Sequence, residues 1–273
     1  MPTGDPTLGV LLVGHGTASE AGTRQILTLS RQLADRLAPR PVEPAFLELQ
    51  QPEIAAGARR LSERGATQLV VAPLLLFAAG HAKQDIPIAV SAAFAGKGQR
   101  GPVVQAQHLG CHPSIVELSR QRFREALSQK SPLLPAETAL ILVGRGSHDA
   151  SATAEMHEFA RLRHDPAEAH DIFVSFLAMA RPPLAETLAE VARRGYRRIV
   201  VQPHLLFQGE LADTVQRAVA ETQQRHPEQE WVLASLLADS QDSPAGGNQY
   251  LLRAVAERVA DAAIRVVPSR PSD

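Results

Sequence analysis

Apolar runs of strand length alternate along the chain with segments whose apolar residues recur every three or four positions. The runs fall at 8–13, 42–48, 68–75 and 102–108, and again at 138–143, 171–178, 198–205 and 230–236. Between them, Ile26, Leu29, Leu33 and Leu37 form one helical stripe, Ile54, Ala58 and Leu61 a second, and Leu184, Leu188 and Val191 a third. The strand runs are apolar throughout, without in–out alternation. That pattern predicts strands covered on both faces, hence parallel sheets flanked by helices. The expected class is α/β, built from two flavodoxin-like parallel-sheet domains.

Two domains are expected because the sequence matches itself at an offset of 130 without gaps. Gly14 falls on Gly144, Gly16 on Gly146, Phe46 and Leu47 on Phe176 and Leu177, Pro52 on Pro182, Gly65 on Gly195 and Pro73 on Pro203. From 44 to 77 there are 12 identities in 34 positions, many of them at Gly, Pro and Phe, more than shared composition supplies. An internal duplication follows, with domains at 1–130 and 131–273 joined through "SQKSPLLPAET", which has two prolines and no helical period.

The two copies differ where chemistry would sit. Ligands of open parallel sheets gather beyond the carboxyl ends of the strands. There the first half places His15 after the first run, in "LLVGHGTASE", Glu48 at the end of the second, and His81 in the loop after the third. The spacings are 33 and 33, one βα unit each, so three distant side chains are expected on one rim. Imidazole, carboxylate and imidazole suit a borderline divalent ion such as cobalt, nickel, iron or zinc. At the same places the second half has Arg145, in "ILVGRGSHDA", Ala178 and Leu211. Taken singly, a His in a Gly-rich turn is more often a loop residue, and a Glu at a strand end a solvated charge. A purely structural role does not predict the loss of all three donors together while the surrounding Gly, Pro and Phe persist.

Composition narrows the field. A chain of 273 residues can bury a proper core, and a formal charge of −1 gives no general pull toward nucleic acid or anionic membrane. Cys111 is the single cysteine, so no intrachain disulfide forms; no apolar run reaches a membrane span and no export signal is evident, which together point to a cytoplasmic protein. His108, Cys111 and His112 lie close in "QHLGCHPS" and resemble a metal cluster on paper, but "HPS" reads as a helix start. His148 and His204, near strand ends of the second half, are expected to be structural or peripheral to a ligand.

"LLVGHGT", "AFLELQQPEI" and "PLLLFAAGHAKQDIP", in this order and at these separations, resemble the sirohydrochlorin chelatases of the cobalamin and siroheme pathways, in their long form of two fused copies. The resemblance covers nearly the whole chain. It implies a class II, ATP-independent enzyme that inserts a divalent metal into sirohydrochlorin and releases two protons, with cobalt favoured and iron or nickel as alternatives. It implies no organic cofactor, and a monomer, because the duplication sits within one chain. By position it makes His15 and His81 the metal-binding and catalytic histidines and Glu48 a further metal contact. The substrate carries eight carboxylates, which a near-neutral protein must meet locally. Arg145 is the first candidate because guanidinium pairs with carboxylate in a bidentate fork, and Lys83 beside His81 is a second. The rival readings are a ferrochelatase of the same family, a metal or tetrapyrrole carrier without turnover, and a histidine phosphatase. The last lacks the expected arginine before the first histidine, where Gly14 stands.

Overall fold

The computed structural model describes residues 7–77, 86, 88–90, 101–238 and 248–265. His81 and Lys83 lie outside the described residues. Eight strands are described: β1 (Leu8–Gly14), β2 (Val42–Phe46), β3 (Gln68–Pro73), β4 (Val103–Gln105), β5 (Thr138–Gly144), β6 (Asp171–Phe176), β7 (Arg198–Pro203) and β8 (Glu230–Leu233). They form two parallel four-stranded sheets, ordered β2-β1-β3-β4 and β6-β5-β7-β8. The numbered helices are α1 (Glu20–Leu37), α2 (Ile54–Glu63), α3 (Pro113–Leu127), α4 (Ala150–Arg163), α5 (Leu184–Ala192), α6 (Glu210–Arg225) and α7 (Gln249–Ile264). The α/β class with two similar parallel-sheet halves is therefore as the periodicity predicted.

Each central strand is apolar because both its faces are covered. All seven residues of β5, and six of the seven in β1, are buried. The predicted stripes face inward: Ile26, Leu29 and Leu33 on α1, Ile54, Ala58 and Leu61 on α2, and Leu184, Leu188 and Val191 on α5 are buried, while Leu37 at the end of α1 is half-buried. Pro44, which cannot donate to a ladder, sits on β2, an edge strand. The helix starts are capped by short polar side chains: Ser19 accepts from the Gly22 amide before α1, and Asp149 from the Ser151 amide before α4.

The offset of 130 holds in three dimensions. β1 and β5 begin and end at equivalent residues, as do β3 and β7, and the Gln51–Pro52 and Arg181–Pro182 peptides are both cis. By packing, the chain groups into Met1–Leu109 with Leu252–Asp273, and Gly110–Leu251. The sequence repeat and this grouping are different partitions. α3 follows β4 in sequence yet packs in the second unit, where the Gln202 amide donates to the Ser119 carbonyl; α7 closes the first, where Arg258 donates to the Gln107 side chain. Among the described residues no helix is long and apolar enough to cross a membrane.

Candidate metal centre

In the order β2-β1-β3-β4 the chain leaves β1 for one side of the sheet and later returns to the other, which makes the carboxyl ends of β1 and β3 the switch point where ligands bind. His15 is the first residue beyond β1. The backbone that carries it is tightly specified. Leu47 donates its amide to the Gly14 carbonyl and Glu48 to the His15 carbonyl, so the loop after β2 is laced to the loop after β1. The Gln50 amide side chain spans the same two loops by donating to the Thr17 carbonyl at 2.8 Å. Gly16 permits the approach, since a Cβ there would stand 1.9 Å from the Glu48 carbonyl oxygen, and its φ is +101°.

This lacing brings two predicted residues together. His15 Nδ1 lies 3.3 Å from Glu48 Oε1. The nitrogen is buried and has no hydrogen-bond partner among the described residues, so the pair is close without the alignment of an N–H···O bond. Two donors on one four-coordinate ion, each about 2.1 Å from it, lie roughly 3.4 Å apart. The His15–Glu48 separation matches that bite, while the side chains remain 41% and 58% exposed and so reachable from solvent. No group of three or more His, Cys, Asp or Glu residues that could hold an ion occurs among the described residues.

The second half repeats the frame without the donors. Leu177 donates to the Gly144 carbonyl and Ala178 to the Arg145 carbonyl; Gly146 has φ +86°, and a Cβ on it would lie 1.8 Å from the Ala178 carbonyl oxygen. Arg145 occupies the His15 place, exposed and in no ion pair with a described residue. Ala178 takes the Glu48 place, and Leu211 falls in the first turn of α6.

The remaining histidines have other surroundings. His112 caps α3, its Nδ1 accepting from the Ser114 amide at 3.1 Å, and the Cys111 thiol points at the Glu155 carbonyl, 3.6 Å away. "HPS" is a helix start, as its sequence suggests. His148 is exposed. His204 is 2% exposed, with its ring centroid 4.1 Å from that of Phe159, which gives it a structural place and not a peripheral ligand contact. Burial pushes its pKa down to about 3. Between the free histidine value and that figure, the unfolded chain binds a proton that the folded chain refuses. His204 therefore costs nothing above the free value and lowers stability progressively as pH falls below it, until about 3. His204→Leu, which installs the residue found at Leu74, is expected to flatten the fall of stability between pH 6 and 4 in urea titrations; an unchanged pH slope would assign that fall to other groups.

Sequence reading missed the polar layer in the core of the second unit. Arg163 is buried, donates to Ser119 Oγ and to Glu168, and lies over the Phe123 ring; Arg122 is buried against the Leu237 carbonyl and Glu125. Arginines on helices read as solvated charges, and only their partners across the fold reveal otherwise.

Residues 9–126 and 139–262 each match the CbiX family model. The chain is 31% identical over 231 residues to the sirohydrochlorin ferrochelatase of Priestia megaterium, covering 84% of this chain and 83% of that protein. It is 30% identical over 227 residues to the sirohydrochlorin cobaltochelatase of the same organism, covering 82% and 72%. A solved structure of SirB from Bacillus subtilis with Fe3+ shares the fold, with a TM-score of 0.80 at 24% identity over 94% of this chain and 96% of that one. With both sequence halves matched and the duplicated parallel-sheet architecture in place, the chain belongs to the CbiX family.

Proposed function

We propose that the protein is a sirohydrochlorin chelatase that inserts a divalent first-row ion without ATP. The observation that carries this reading is the His15 Nδ1–Glu48 Oε1 pair, 3.3 Å apart at the switch point, in a frame whose copy kept the backbone and lost the donors. His81 completes the set from the sequence as the second imidazole. Relatives named for cobalt and for iron insertion lend the activity, and a nitrogen–oxygen–nitrogen donor set accepts either ion.

The chemistry follows from the donors. Insertion breaks two pyrrole N–H bonds, forms four metal–nitrogen bonds and releases two protons. A nitrogen lone pair that holds the ion cannot take a proton at the same moment, so two histidines supply what one cannot: a ligand and a base. Few ligands leave coordination positions open, which allows the macrocycle to take the ion over; a closed four-ligand site would retain it.

Mixing the protein with sirohydrochlorin and Co²⁺, and in parallel with Fe²⁺ under anaerobic conditions, tests the reading. Spectral conversion faster than the protein-free rate is expected, and the faster ion is the substrate. Binding without acceleration would make the protein a carrier. Arg145, exposed and without a described counter-charge, is the group we assign to a substrate carboxylate, with Lys83 as the sequence's second choice. Arg145→Ala is expected to weaken sirohydrochlorin binding by about 1.5–3 kcal/mol with Co²⁺ affinity unchanged. An unchanged KM together with a lower Tm would return Arg145 to a structural role.

A further inference from the structure

The residue after Glu48 is held in an unusual way. The Gln50 amide donates to the Glu48 carbonyl at 2.8 Å, closing a three-residue γ-turn around Leu49, whose φ is +63°. The second half makes the same turn: Ala180 donates to the Ala178 carbonyl at 2.6 Å around Met179, with φ +60°. Among the described residues these are the two non-glycine residues at positive φ. A γ-turn of this hand is rare and strained, and a large L-side chain in the left-handed region costs on the order of 1–2 kcal/mol.

Packing of the side chains recovers little of that cost, for Leu49 is 68% exposed and Met179 56%. In the first half the turn also presents Glu48 to His15, which is one reason to keep it. That reason fails in the second half, where Ala178 has no donor to present. What both halves retain is a long, exposed apolar side chain in a loop where the preceding residue donates its amide to the His15 carbonyl in one copy and to the Arg145 carbonyl in the other. Backbone strain at an exposed side chain on a ligand rim is a mark of functional positions.

We propose that Leu49, on the rim that carries His15 and Glu48, is the apolar contact through which that rim meets the flat face of the tetrapyrrole. This deepens the chelatase reading and rests on it. A macrocycle of this class has a conjugated apolar face bounded by carboxylates. It needs both kinds of partner: a charged group at the edge, and an apolar one against the ring, where a Leu or the polarisable thioether of Met fits. Leu49 then sets where the ring lies relative to the neighbouring His15–Glu48 pair, as a positioning residue and not a ligand.

The test is metal-free titration of sirohydrochlorin, followed by its own absorbance, with wild type and Leu49→Gly. Glycine removes the side chain and relieves the backbone, so the variant is expected to melt no lower than wild type, to bind the macrocycle roughly tenfold more weakly, and to keep its Co²⁺ affinity. Leu49→Asn, which also tolerates positive φ, is expected to show the same loss should the glycine variant fold poorly, and Leu49→Met to bind as wild type does. Macrocycle binding unchanged in the glycine and asparagine variants overturns the proposal alone. Loss of Co²⁺ affinity in parallel also overturns it, by showing that Leu49 acts through Glu48. Wild type that fails to bind sirohydrochlorin removes the chelatase reading itself.

Discussion

His15→Ala and His81→Ala are each expected to lower the rate of metal insertion by about 100-fold or more, the scale on which a positioned acid–base group contributes, while leaving the fold intact. His15 is a half-exposed residue beyond a strand end, and its imidazole contributes little to the core. The loss should appear in insertion rate with sirohydrochlorin affinity nearly preserved, because the macrocycle is held by other groups. Glu48→Gln, which keeps the shape and removes the charge, should weaken Co²⁺ binding less than either histidine change. Near-normal turnover in both histidine variants would remove the assignment of ligand and base.

The second large effect concerns the glycines. Gly16→Ala and Gly146→Ala each place a Cβ less than 2 Å from a backbone carbonyl oxygen, at 1.9 and 1.8 Å, and at positive φ as well. No rotamer change relieves a clash with backbone, so the two loops must part. Each substitution is expected to cost about 2–4 kcal/mol in denaturant unfolding. The two should differ in function. Parting the loops at Gly16 moves Glu48 from His15 and weakens Co²⁺ binding, whereas parting them at Gly146 moves Ala178, which has no donor, and leaves Co²⁺ affinity as it was. Equal effects on metal binding would mean that the frame, and not its side chains, determines the site.

Much of the architecture is legible because parallel strands buried on both faces leave continuous apolar runs, and the helices packed on them leave a period of three to four. The runs overshoot at the carboxyl ends. The segment 42–48 ends as strand at Phe46, and 230–236 at Leu233. Leu47 and Leu236 still pack inward after the backbone has left the ladder, and apolarity reports packing, not pairing. The meeting of His15 and Glu48 was legible because each follows a strand, and the carboxyl ends of neighbouring parallel strands share one rim. The γ-turns were not, since Leu and Met are poor residues for positive φ and nothing local announces them. Nor was the placement of α3 in the second unit and α7 in the first. An amphipathic stripe says that a helix is covered and not by which sheet.

The metal centre we propose is asymmetric, with one site per chain, in the half that kept His15, Glu48 and His81. Calorimetric titration of the substrate-free protein with Co²⁺ counts the sites. One ion per chain is expected, bound more weakly as the solution is acidified because ligation displaces protons, with no ion bound after His15→Ala and His81→Ala together. Two equivalent ions per chain, or a single ion that survives the loss of both histidines, would contradict it.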